Sequence, residues 1–118
     1  MNELFIIGRI LLGGFFIYNG IGHFMKLDMM TGYAKSKGVP ASKISVAITG
    51  FLLLIGGLAI VLNEYMLLGM WILIVFLVVT TLVMHPFWKE KDPMVRMNEQ
   101  IGFFKNVAII GALLMMVA

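Results

Sequence analysis

The sequence predicts an all-α integral membrane protein, an antiparallel four-helix bundle that forms one transmembrane domain over residues 1–118. Three observations carry that expectation. Hydrophobic residues make up 61% of the chain and charged residues only 13%, whereas soluble domains run at about 45–50% apolar and about 25% charged. A water-soluble fold of this composition would lack the polar surface to cover itself. Four segments approach the roughly 20 apolar residues needed to cross a hydrocarbon core of about 30 Å. The basic residues, finally, gather in two of the three connections between those segments.

The first span covers residues 4–24. The start MNELFIIGR has no basic leader and no small-residue cleavage site follows it, so it reads as a retained span rather than a signal peptide. At about 100° per residue, Arg9, Gly13, Phe16, Gly20 and His23 fall on one stripe of this helix. The connection KLDMMTGYAKSKGVPASK then predicts a short amphipathic surface helix over about 28–36, ended by Gly38 and Pro40.

Spans two and three, residues 44–62 and 65–84, are separated only by Asn63-Glu64 and should form a tight hairpin. Gly50, Gly56 and Gly57 in span two, like Gly13 and Gly20 in span one, are expected to serve close helix packing. The fourth span, 102–118, is predicted to be extended by a surface helix from about residue 93, because Asp92-Pro93 supplies an N-cap and a first-turn proline. Arg96, Glu99 and Gln100 would lie on that extension at the membrane surface.

Lys26, Lys35, Lys37 and Lys43 fall in the first connection, and Lys89, Lys91, Arg96 and Lys105 in or just after the last, making eight of the nine basic residues. The hairpin turn and the C-terminus carry none, so the positive-inside rule places both long connections in the cytoplasm and both termini outside. The net charge of +3 is thereby a topology signal, not a nucleic-acid footprint. The absence of cysteine excludes disulfides, thiolate metal sites and dithiol oxidoreduction through the chain's own sulfur. The eleven methionines show no metal-binding spacing and read as packing filler, so no metal site is expected.

An ionisable group at membrane depth is costly and therefore a functional candidate. Arg9 either snorkels to the outer headgroups or is buried as a fixed positive charge for a ligand oxygen, since the spans hold no Asp or Glu to neutralise it. His23, His85, Trp88, Lys105 and Asn106 come from three helices and can gather in one layer near the cytoplasmic face. The two histidines could be interfacial imidazoles bonded to backbone, haem ligands, or hydrogen-bonding and proton-transfer groups in a small-molecule pocket. No catalytic residue can be assigned from these residues alone.

With these residues in place, the chain resembles the DoxX family of small four-helix membrane proteins. The resemblance is strongest over residues 76–114, through His85, Phe87, Trp88, Asp92, Pro93, Phe104, Lys105 and Asn106 in the family's order. Arg9, the NGIGHF run at 19–24, the KGVP run at 37–40 and the IGGL run at 55–58 add to it. Around 46–50 the chain lacks the acidic residue that many members carry early in span two, and so resembles the branch without it. The resemblance implies a location in the cytoplasmic membrane and a role as an oxidoreductase or an oxidoreductase subunit, linked in some members to quinones and sulfur compounds.

Three functions follow. The leading one is a membrane subunit of a redox system that binds a quinone-like or other small lipophilic molecule and docks a soluble cytoplasmic redox partner. The alternatives are a non-catalytic scaffold recruiting partners through the lysine-rich connections, and a small transporter, disfavoured by the lack of a carboxylate in the spans. The bilayer itself is a partner in each, and a homo-oligomer is compatible with all three.

Overall fold

The computed structural model describes residues 2–118, which form five α-helices and one 3₁₀ turn, with no strand among the described residues. Helix α1, Glu3–Met25, starts from a side-chain cap in which the Phe5 N–H donates to Asn2 Oδ1 at 2.8 Å. The surface helix α2, Leu27–Ser36, ends where Gly38 turns to a φ of +81°, a conformation that costs glycine least. Helix α3 spans Ser42–Leu62, α4 spans Met66–Met84, the 3₁₀ turn is Phe87–Lys89, and α5 spans Pro93–Val117. Asp92 caps α5 as its sequence predicts, its Oδ1 accepting from the Met94 and Val95 N–H groups at 2.9 and 3.4 Å.

Four helices are long and apolar enough to cross a membrane: α1, α3, α4 with the turn that follows it, and α5. Large apolar side chains such as Leu4, Leu11, Ile44, Leu68, Val75 and Ile101 stand exposed along them, a surface that water would penalise and lipid accommodates. The chain is thus an all-α, multi-pass membrane protein. The helix ends fall within a residue or two of those expected, and the hairpin turn is the informative case. Tyr65 does not open the third span but sits outside it with a φ of 52°. Asn63 ends α3 in the left-handed region at φ 57°, and the reversal within so few residues takes a second left-handed step at Tyr65.

The chain packs as two units, one running to Leu73 and the other from Ile74 to Ala118. In the first, α1 lies antiparallel on α3, and glycines set the spacing. A Cβ on Gly13 would come within 2.7 Å of the Gly57 carbonyl oxygen, one on Gly57 within 2.7 Å of Gly13 O, and one on Gly20 within 2.8 Å of Gly50 O. Backbone therefore meets backbone along the seam, which only glycine permits. Gly56 faces elsewhere, against the Leu73 side chain of α4, where a Cβ would lie 2.6 Å from Leu73 Cγ. Phe16, Leu53, Ile60 and Leu73 fill the interior of this unit, and Ala34 seats α2. In the second unit the buried residues of α5 are Glu99, Asn106 and Leu113, spaced by seven, so that one narrow stripe of an otherwise apolar helix faces inward.

Candidate functional site

Arg9 leaves α1 on the face that packs on α3, and its Nη2 donates to Val61 O at 3.2 Å. Val61 lies in the last turn of α3, where carbonyls have no intrahelical donor and the helix dipole favours a cation. The guanidinium carbon also lies 5.5 Å from the Phe5 ring centroid, within cation–π range. The arginine thus ties the start of α1 to the end of α3.

His23, two turns below Phe16 on the same stripe, is held by the other end of α3. Its Nδ1 lies 2.9 Å from Val46 O and 3.3 Å from Thr49 Oγ1. A carbonyl only accepts, so Nδ1 carries the hydrogen and the tautomer is set. Thr49 is satisfied within its own helix, its hydroxyl reaching Ser45 O at 2.8 Å and Val46 O at 3.1 Å. Gly50 makes room for the arrangement, since a Cβ there would lie 2.7 Å from His23 Cβ. Backbone-bonded imidazole is one of the alternatives that the sequence left open for His23.

The second unit builds a different site around His85. The His85 N–H completes a last turn by bonding Thr81 O at 3.2 Å, and Pro86, which has no N–H to give, then ends the helix. The His85 ring packs on Gly102 of α5, where a Cβ would lie 3.0 Å from both Cε1 and Nδ1. Nδ1 stands 3.5 Å from Glu99 Oε2. Glu99 is only 8% exposed. Glu99, expected on the extension at the membrane surface, is thus packed into the unit beside an imidazole, a pairing that the sequence did not identify. The reason is helical phase: Glu99 shares the inward stripe with Asn106 and Leu113, while its neighbour Asn98 faces outward.

Aromatic rings adjoin the pair. Trp88 contacts Phe87 and Phe103 edge-to-face at centroid distances of 5.3 and 5.7 Å, and Phe87 meets Phe103 at 5.3 Å. These contacts pin the 3₁₀ turn to α5 while leaving Trp88 48% exposed. Asn106 is buried one turn beyond Gly102, and Lys105 faces outward. His85, Trp88, Lys105 and Asn106 thus belong to the second unit and His23 to the first, and each unit orders its own residues. Among the described residues no three His, Asp or Glu side chains gather in a metal-binding group.

Thr81, one helical turn before His85, is another polar residue of the site. The residue is only 3% exposed, and its buried Oγ1 has no hydrogen-bond partner among the described residues. An unsatisfied buried hydroxyl costs about 1–3 kcal/mol. Thr81 precedes His85 by one helical turn, which is the signal in the sequence that associates them.

Neither a curated protein nor a solved structure matched the chain in the comparisons. A family model described as DoxX matches residues 4–86, from α1 through α4 to Pro86. The matched region takes in Arg9, His23, Thr81 and His85, whereas Trp88, Glu99, Lys105 and Asn106 lie beyond it, as does most of the 76–114 segment where the motif resemblance is strongest. Well over half of the sequence is covered, and the chain belongs to the DoxX family.

Proposed function

We propose that the chain is the membrane subunit of a redox system, binding a quinone-like or other small lipophilic molecule beside His85 and docking a soluble partner on its basic connections. The observation that supports this most is the buried Glu99 carboxylate 3.5 Å from the His85 imidazole. Reducing a quinone-type oxygen consumes protons, and an acid paired with an imidazole can hold one and return it. A bound quinone would supply the electron-accepting chemistry. The chain's own residues do the rest: Trp88 offers an apolar edge for a flat ring, and Glu99 and His85 hold and move the proton. Asn106, buried on the stripe of Glu99, can orient a ligand oxygen. Lacking cysteine, the chain takes its electrons from a partner.

The partner surface is basic. Lys26, Lys35 and Lys43 flank or lie on α2, and Lys89 and Lys91 follow α4, all exposed. With both connections in the cytoplasm and both termini outside the cell membrane, these lysines face a cytoplasmic protein. Arg9 has a separate job, holding α3.

The test is purification into nanodiscs, extraction and mass spectrometry of bound quinone or flavin, and quinone reduction with a cytosolic fraction as donor. His85→Ala and Glu99→Gln should lower the activity by ~10²–10⁴-fold. Clean protein with no bound redox species, and no rescue of a redox defect in a deletion strain, would refute the reading. The exposed basic helix α2 equally favours a scaffold. In that case pull-downs fail when the lysines become glutamines, while His85→Ala is tolerated. A buried Glu99 also removes the objection to a proton-coupled transporter, which cation flux into proteoliposomes would reveal.

A further inference from the structure

Two threonines of this chain lie at polar positions near a histidine, and they behave differently. Thr49 turns its hydroxyl back onto its own helix and bonds Ser45 O and Val46 O. That is the ordinary resting place of a helical threonine. Thr81 forgoes it. Its Oγ1 is fully buried with no partner among the described residues, although a backbone carbonyl one turn back is always within a rotamer's reach. A buried hydroxyl that declines its own backbone marks a place where a non-protein oxygen completes the bonding.

We propose that Thr81 Oγ1 binds an internal water molecule, and that this water and the His85–Glu99 pair together form a proton-transfer site at the end of α4. The residues are ordered for it. Thr81 lies one turn inward from His85, which is itself half-buried, and His85 faces the buried Glu99 carboxylate. The hydroxyl can donate to the water and accept from it, and the water reaches the imidazole: a proton delivered through the water to Nε2 makes the imidazolium, whose Nδ1 proton then passes to the ionised Glu99 Oε2 and leaves a neutral imidazole with its hydrogen on Nε2. When the carboxyl returns a proton to Nδ1 and Nε2 gives its own back through the water, both groups regain their starting states. Gly102 keeps the imidazole close to α5, since any Cβ there would press on Nδ1 and Cε1 at 3.0 Å. Asn106, buried one turn from Gly102, is a further polar group of the same unit able to bond water. The inference rests on the redox reading only for what consumes the proton. The water and its bonding hold for any substrate.

Water-edited solid-state NMR of the whole chain in bilayers tests it directly. With threonine and histidine labelled, magnetisation from bound water should reach the Thr81 side chain at short mixing times and leave Thr49 dark. Thr81→Val should lose the water transfer that His85 receives in the wild type, and Thr81→Ser should restore it, with helix content by circular dichroism equal in all three. The proposal is overturned if Thr81 is as dark as Thr49, or if Thr81→Val leaves the His85 transfer unchanged. Because no quinone or electron donor is present, failure here leaves the redox reading standing. Conversely, a negative redox assay leaves the water site intact.

Discussion

The His23 and His85 sites use the same parts to opposite ends. Each has a histidine close to the end of a long helix, packed against a glycine of a neighbouring helix, with a threonine within one turn of the contact or of the histidine. At His23 every partner is protein backbone or a hydroxyl already bonded to backbone, so the site is closed and its tautomer set. At His85 the partner is an ionisable carboxylate and the threonine hydroxyl remains open. The difference teaches that histidine at a membrane helix end is not by itself functional. What distinguishes the two is whether the neighbouring groups can change state.

The sharpest way to break that comparison is activity. In the quinone assay His85→Ala or Glu99→Gln should lower turnover by ~10²–10⁴-fold, the usual worth of a positioned acid or base, while His23→Ala should retain it. Equal losses at both histidines would make the sites alike. Next is packing. Gly50→Ala drives a Cβ against His23 Cβ, an atom fixed to the backbone, and should destabilise the chain by about 1–3 kcal/mol in reversible unfolding from detergent micelles.

At Gly102→Ala the nearest atoms are those of the His85 ring, which can tilt, so its cost in the same unfolding experiment should be smaller. It should still impair turnover by moving the imidazole off Glu99. As a control, Gly14→Ala has nothing within 4 Å of the new methyl and should gain up to about 1 kcal/mol from helix propensity. The smallest effect concerns the threonines. Thr49→Val removes hydrogen bonds within the protein and should cost about 0.5–1 kcal/mol, more than Thr81→Val, which removes none between described residues.

Much of this architecture was legible in the sequence, and for physical reasons. Spans of apolar residues declare themselves by length, and Asp92-Pro93 announces the start of α5 because capping is a local event. The amphipathic α2 and its Gly38 stop are likewise local. Glu99 was not legible. Hydrophobic residues surround α5 on all sides, so periodicity could not say which stripe faces inward, and a carboxylate in a charged segment reads as solvated. The destination of Arg9 was hidden as well, since Val61 is 52 positions away in the chain. Nor can any sequence show that Thr49 and Thr81 choose different rotamers.

The bond from Arg9 to Val61 O bears on the order in which the protein assembles. When α1 first enters a bilayer, α3 has yet to be made, and its guanidinium must stay near headgroups or water. Only when the second span arrives does a carbonyl at the matching level become available, and the glycine seam then lets the two helices close. Arg9 thereby favours pairing with the end of α3 that carries Val61, and its bond to that carbonyl marks the register in which the glycine seam closes.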